Sequence, residues 1–307
     1  MTSLMLEEAV SAADCVALQL ANDADRCAAL GHHLRSTAFH NAVTVARGSS
    51  DHASSYLAYL IMARMGRLVT SLPMSLVTLY KAPLQAAGTL AIAVSQSGQS
   101  PDVVGPISYF RAGGATTVAL VNDIDSPLAQ AAEWALPLRA GKEHSVAATK
   151  SFITSLTAGA RLVAEWQQDA ELQDGLAALP DALRRAAAVD WSAALDVLAP
   201  ARNIMVVGRG ICFPVALEAA LNLKETSALQ AAGTLAIAVS QSGQSPDVVE
   251  PISYFRSGGA TTVALVNAID SPLAHAAEWA LPLRAGKEHS VAATKSFITS
   301  QIGRAHV

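Results

Sequence analysis

The densest chemistry in the chain lies in Ser95-Gln96-Ser97-Gly98-Gln99-Ser100-Pro101-Asp102, which follows the apolar run 89–94 and opens a helical segment. Ser100 suits the N-cap, Pro101 the first helical position and Asp102 the positive end of the helix dipole. Capping accounts for those three residues and leaves Ser95, Gln96, Ser97 and Gly98 without a role. Hydroxyls, a carboxamide and a glycine that permits close backbone approach, all at the carboxyl end of a strand, make an anion cradle. It contains neither Lys nor Arg, which points to a single phosphate group rather than a triphosphate, for which Gly-Lys-Ser/Thr is expected. Gly48-Ser49-Ser50 follows another strand candidate and is placed to converge on the same crevice.

Other chemistries find less support. Glu225 ends the helical run 216–225, and a carboxylate there, taken alone, reads as solvated or paired with Lys224. Gly208-Arg209-Gly210 begins like a dinucleotide fingerprint, but Phe213 stands where a third glycine belongs. Cys15, Cys27, Cys212, His52, His144 and His289 show no metal-ligand spacing, so no metal is expected and the thiols read as buried or idle in a reducing compartment.

The elements that position these residues are those of an alternating α/β chain. Met5 to Leu34 has helical periodicity; strands are expected at 41–46, 68–71, 89–94, 116–121 and 134–138, with helices between them. Near-continuous apolar strands of this kind belong in a parallel sheet covered on both faces. We expect a doubly wound five-stranded sheet in the order 2-1-3-4-5, followed by an incomplete second unit whose first strand is 203–207. The expected divisions are N-terminal helices at 1–35, a first domain at 36–165, a helical linker at 166–200 and the incomplete unit at 201–300.

That second unit is incomplete because of a repeat. Residues 84–155 recur as 229–300 with four differences: Gly105 against Glu250, Ala112 against Ser257, Asp123 against Ala268 and Gln130 against His275. The similarity stops at once outside these limits, inside a helix at one end, which marks a very recent or artificial join. The chain therefore looks chimeric. Ile302-Gly303-Arg304-Ala305-His306-Val307 resembles a translated sequencing adapter, so 301–307 is expected to be a non-native tail. The second unit omits a counterpart of strand two, so it should be frayed or forced onto four strands, and its copied cradle at 240–245 faces Arg209-Gly210-Ile211 rather than Gly-Ser-Ser.

Composition limits the partners. The 307 residues are 51% hydrophobic and 15% charged, with 21 basic and 25 acidic side chains and a formal charge of −4, which excludes a disordered polymer and a basic surface for nucleic acid. There is no run of the ~20 apolar residues a membrane span needs and no secretory signal at Met1 to Glu8, so a cytoplasmic protein is expected.

The motifs Gly48-Ser49-Ser50-Asp51-His52, Ser95 to Ser100, Leu120-Val121-Asn122 and Glu143 to Phe152, in that order, resemble the sugar isomerase (SIS) domain family. The likeness is to its tandem-domain group, which contains the isomerase half of glucosamine-6-phosphate synthase (glutamine–fructose-6-phosphate aminotransferase) and glucosamine-6-phosphate deaminases. It resumes at Val207 to Gly210 and Ala216 to Glu225. The resemblance implies that Ser50, Ser95, Gln96, Ser97 and Ser100 bind the phosphate of a hexose or hexosamine 6-phosphate, that Ser49 and Val146 line the sugar, and that Glu225 is the catalytic base. It also implies a homodimer and a reaction without metal or cofactor.

Two positions depart from the family pattern. Asn222 stands where the synthase has a lysine, and from Leu229 onward the copied piece replaces a histidine-containing segment that helps to open the sugar ring. The expected function is that of a phosphosugar-binding protein derived from an amino-sugar-6-phosphate deaminase or isomerase, converting glucosamine 6-phosphate into fructose 6-phosphate and ammonia. The alternatives are the isomerase part of the glutamine-dependent synthase and a non-catalytic sugar-phosphate binding module.

Overall fold

The computed structural model describes residues 3–190, 192–198, 201, 203–226, 234–244 and 246–285. The tail 301–307, His289, Ser245 and the Leu229 junction lie outside the described residues. Two helices, α1 (Leu4–Asn22) and α2 (Ala24–Ser36), precede β1 (Asn41–Val45), α3 (Ser49–Met65), β2 (Val69–Ser71), the single turn α4 (Ser75–Thr78) and β3 (Thr89–Ser95). There follow α5 (Pro101–Ala112), β4 (Thr116–Val121), α6 (Pro127–Ala131), β5 (Trp134–Pro137) and the long helix α7 (Lys150–Gln167). The remainder comprises α8 (Ala170–Ala177), α9 (Leu179–Ala187), α10 (Ser192–Leu198), β6 (Asn203–Gly208), α11 (Phe213–Thr226), β7 (Thr234–Ser240), α12 (Pro246–Ser257), β8 (Thr261–Val266), α13 (Pro272–Ala276) and β9 (Trp279–Pro282).

The first sheet has the order β2-β1-β3-β4-β5 with every pair parallel, as the alternation of elements implies. All seven residues of β3 are buried, so the strand must be covered on both faces. Ala91 and Ala93 share one face with Ala119 and Val121, packed against Val103, Ile107 and Phe110 of α5 and Leu128 of α6. The alternating residues Leu90, Ile92, Val118 and Leu120 have no exposed surface and lie on the opposite face, where α3 contacts β3 and α7 contacts β4. Each such fully buried aliphatic side chain contributes about 1.5–3 kcal/mol.

A doubly wound sheet reverses direction beside its first strand. From β1 the chain goes out to β2 on one side and returns to β3 on the other, so the carboxyl ends of β1 and β3 flank the crevice where such folds hold ligands. This sheet belongs to a compact unit made of 14–143 and 150–177; residues 1–13, 144–149 and 178–307 make a second unit.

The second unit carries a four-stranded parallel sheet, β6-β7-β8-β9. Its β7, β8 and β9 reproduce the registers of β3, β4 and β5: Ser95 opposes Val121 in one sheet and Ser240 opposes Val266 in the other. The chain runs from β6 through α11 directly to an adjacent strand, and the place that β2 holds at the edge of the first sheet has no counterpart among the described residues.

Candidate functional site

The structure brings Ser49, Ser50 and Ser95 to Ser100 together at the carboxyl ends of two neighbouring strands. Gly48 takes φ 54 and ψ −135, a backbone state that suits only glycine, and this turn lets Ser49 and Ser50 open α3. The amides of Asp51 and His52 reach back to the Gly48 carbonyl at 2.9 and 3.3 Å. Ser49 and Ser50 are half-buried.

The second loop shapes itself. Ser95 is nearly buried, and its hydroxyl oxygen accepts the Gly98 amide at 3.0 Å, while the Ser97 hydroxyl accepts the Gln99 amide at 3.3 Å. Accepting leaves each hydroxyl its own proton to donate. Gly98 has φ 64, and its carbonyl accepts the Leu128 amide at 3.1 Å. Gln96 and Ser97 are exposed. The loop therefore offers hydroxyls and a carboxamide outward while its glycine is fixed from behind.

Ser100 corrects one expectation. It holds the N-cap position of α5 with Pro101 at the first helical residue, but its hydroxyl makes no capping bond. Only its carbonyl serves the helix, accepting the Val103 and Val104 amides at 3.0 Å each. The side chain that capping was expected to use is thus left over for another partner. Both α3 and α5 begin at these loops, and two helix N-termini beside one crevice favour an anion.

A cation missing from the loops themselves stands next to them. Arg47, one residue before Gly48, pairs with Asp102 in the first turn of α5 at 2.9 Å. Sequence reading missed this contact because the two residues lie 55 positions apart and Asp102 already had a sufficient role at the start of its helix. Further along the same sheet edge, Asn122 accepts the Ala140 amide at 2.8 Å and donates to the Gly141 carbonyl at 2.7 Å, which fixes the chain leaving β5. A cavity of about 680 Å³ opens beside it, lined by Asp23, Arg26, Asn122 and Arg139 among others. Two of its charges are spent on each other, since Arg139 grips Asp23 at 2.5 and 2.8 Å. The hydroxyl-rich loops at the switch point remain the better anion site.

The remaining motif residues hold the segment after β5. Glu143 accepts the Ser151 amide at 3.4 Å and the Ser151 hydroxyl, which places a carboxylate at the start of α7. Val146 lies in the second unit and is 86% exposed. Glu225, also in the second unit, is exposed one residue from the end of α11. Glu218 and Asn222 of the same helix are buried, and with Glu225 they recur at a helical spacing that puts the three on one face. That spacing was a signal available in the sequence.

The copied loop keeps its local form. Gly243 donates to the Ser240 hydroxyl at 3.0 Å and Gln244 to the Ser242 hydroxyl at 3.3 Å, with Gly243 at φ 64. The neighbouring loop differs: after β6 the chain forms a short 3-10 turn, Gly210–Cys212, with Ile211 and Cys212 buried where the first unit has serines. Among the described residues, no group of three His, Cys, Asp or Glu side chains is arranged to hold a metal ion, and no helix is long and apolar enough to cross a membrane.

Sheet order, loop placement and helix-end polarity define an open α/β protein with an anion crevice at its switch point. The SIS domain family model matches residues 38–164 and 228–302, more than half of the chain, and the chain belongs to that family. It is 33% identical over 200 residues to the glutamine–fructose-6-phosphate aminotransferase (isomerizing) of Zymomonas mobilis subsp. mobilis, covering 62% of this chain and 33% of that protein. The homologue from Bradyrhizobium diazoefficiens is 36% identical over 200 residues, with 61% of this chain and 32% of that protein covered. The chain thus spans about a third of the length of these curated relatives.

Among solved structures, a provisionally named phosphosugar isomerase from Silicibacter pomeroyi DSS-3 matches with a TM-score of 0.87 and 31% identity over 99% of this chain and 96% of that one. The C-terminal domain of glucosamine-fructose-6-phosphate aminotransferase from Francisella tularensis shares the fold at a TM-score of 0.76 and 19% identity, covering 100% of this chain and 96% of that one.

Proposed function

We propose that the first-sheet unit binds the phosphate of a hexose or hexosamine 6-phosphate, and that the protein derives from an amino-sugar-6-phosphate deaminase or isomerase. The observation that carries this reading is the meeting of two serine-bearing loops and two helix N-termini at the β1–β3 switch point. In it Ser50, Ser95, Gln96, Ser97 and Ser100 hold the phosphate, with Ser49 and Val146 assigned to the sugar by family resemblance. No bound cofactor is needed for the chemistry.

Glu225 is assigned the proton transfer. In open-chain glucosamine 6-phosphate, C1 is an aldehyde and C2 carries an amine. Removing the C2 proton and returning it to C1, while the aldehyde oxygen gains a proton and the amine nitrogen gives one up, moves the double bond from C1–O to C2–N and leaves a C1 hydroxyl and a C2 imine. Water adds to the imine and ammonia leaves, which gives the C2 ketone of fructose 6-phosphate. A carboxylate can carry that proton in both directions.

A second reading, that the chain corresponds to part of the isomerase half of a glutamine-dependent aminotransferase, is favoured by the name shared by the curated relatives. The exposed setting of Glu225 favours a third, a binding module without turnover. Ammonia release from glucosamine 6-phosphate, measured beside thermal stabilisation by the same compound, separates them. Release that Glu225→Gln abolishes supports the deaminase reading; stabilisation without release supports the module; neither effect refutes phosphosugar binding. The same preparation examined by sedimentation at several concentrations tests the proposed homodimer.

A further inference from the structure

The two sheets carry the same loop beside different first strands, and their registers can be compared residue by residue. The last paired residues are Val45 opposite Ala93 in one sheet and Gly208 opposite Val239 in the other. Counting on from these pairs, Arg47 comes level with Ser95 and Gly48 with Gln96, while Arg209 comes level with Ser240 and Gly210 with Gln241. Gly48 and Gly210 thus stand at the same place in the turn, and they take φ 54 and 58. An Arg-Gly turn at the end of the first strand is common to both sheets, although the segments that carry it are not copies of one another.

The loop beside that turn is unchanged in sequence, since none of the four differences between the copies falls within 95–102 or its counterpart 240–247. Ser240 is 8% exposed, and its hydroxyl oxygen accepts the Gly243 amide, which leaves its own proton to donate. The exposed Ser242 accepts the Gln244 amide in the same way. Beyond the loop, the twelve-residue helix α12 adds the positive end of its dipole. Ala268 after β8 replaces Asp123 after β4, which removes an acid from the neighbouring strand end, and the added Glu250 lies at the fifth residue of α12, more than a turn into the helix. Two positions lose donors: Ile211 and Cys212 are 7% and 4% exposed and stand where the first unit has serines.

We propose that the carboxyl ends of β6 and β7 form a second anion site, in which Arg209, Gln241 and the hydroxyls of Ser240 and Ser242 hold a free phosphate ion. It rests on the reading above only in taking a serine loop of this form to bind phosphate. Arg209 is exposed at the level of Ser240, and a guanidinium matches the paired oxygens of phosphate. All of these residues belong to one unit of the molecule. With Ile211 and Cys212 in place of two hydroxyls, the site has nothing on that turn for a sugar and should be weaker than the first.

The amide resonances of Gly98 and Gly243 report the two loops separately in the full chain. Titration with inorganic phosphate at constant ionic strength should move both, with the Gly243 midpoint about tenfold higher for want of two donors. Arg209→Gln should raise the Gly243 midpoint about fivefold, as loss of an exposed charged partner, and leave that of Gly98 within about twofold. Ser242→Ala should raise the Gly243 midpoint about threefold, and Ser97→Ala should move only that of Gly98. A Gly243 resonance that stays still while Gly98 titrates overturns the second site and leaves the phosphosugar reading standing. A Gly243 shift that neither Arg209→Gln nor Ser242→Ala displaces overturns it as well, because the ion would not be held by these side chains. If Gly98 fails to respond to phosphate, fructose 6-phosphate and glucosamine 6-phosphate, the reading above falls, whereas a Gly243 response that depends on Arg209 would still support the second site.

Discussion

The guanidinium of Arg47 lies 2.9 Å from the carboxylate of Asp102, tying the residue before the Gly48 turn to the first turn of α5. Their side chains are 60% and 52% exposed, so the pair contributes at most about 1 kcal/mol to folding. Its effect is on the charge beside the serine loops, where it cancels a cation that would attract phosphate. Asp102→Asn should therefore tighten inorganic phosphate binding about threefold at low salt, with the gain fading toward 1 M salt. Arg47→Ala should weaken binding under the same conditions. Calorimetric titration at two ionic strengths checks both, and tighter binding by Arg47→Ala would refute the electrostatic account.

Gly98 is required twice. At φ 64 a side chain is strained, and a Cβ would meet the Ser126 Oγ at 2.1 Å, its Cβ at 2.6 Å and a Val121 methyl at 2.9 Å. Ser126 cannot easily yield, because it is 1% exposed and its hydroxyl caps α6 by accepting the Ala129 amide. Strain and overpacking together predict a loss of about 2–4 kcal/mol for Gly98→Ala. Gly48 has φ 54 and ψ −135 but open space around it, so Gly48→Ala should cost about 1–3 kcal/mol from strain alone. Urea unfolding of the two variants tests the order; equal losses would mean that packing behind Gly98 is unimportant.

Gln96 and Ser97 expose their side chains at the loop tip, so their truncation touches little of the core. Gln96→Ala and Ser97→Ala should each keep stability within about 0.5 kcal/mol. Their effect should fall on the ligand, with glucosamine 6-phosphate binding about tenfold weaker in each. A melting curve without ligand and a titration with it separate these quantities. Undiminished affinity in both variants would move the phosphate away from this loop.

Much of the first unit could be read from residue types alone. The wholly apolar β3, Pro101 opening α5 and the Gly48 turn before α3 are local features, and local features also explain why the copied loop at 240–244 keeps the same hydrogen bonds. Contacts distant in sequence were not legible. Arg47 and Asp102 are 55 positions apart, and Glu8 and His144 are 136 apart, with no periodicity to link them. Ser100 shows the other limit: the residue type and the position indicated a capping hydroxyl, whereas the backbone carbonyl alone serves the helix. Rotamers depend on what competes for the side chain, and a sequence motif does not state that.

Cys27 offers a pH-dependent probe of the first unit's interior. It lies on α2 at 3% exposure, and burial pushes its thiol from an ordinary 9.0 up to about 11, with Arg161 opposing the shift and Asp23 and Glu165 adding to it. Below pH 9 the thiol is neutral in both folded and unfolded chains and its titration does not affect stability. Between about pH 9 and 11 the unfolded chain gives up its proton first, so the folded state binds more protons and stability falls as pH rises. A difference near two pH units corresponds to a loss on the order of 2 kcal/mol. Cys27→Ala removes the titration and leaves a small cavity whose cost does not depend on pH. The variant should therefore be less stable than the parent at pH 8, with the gap narrowing toward pH 11 in urea unfolding. A gap that stays constant over that range would show that the thiol ionises no later in the fold than outside it.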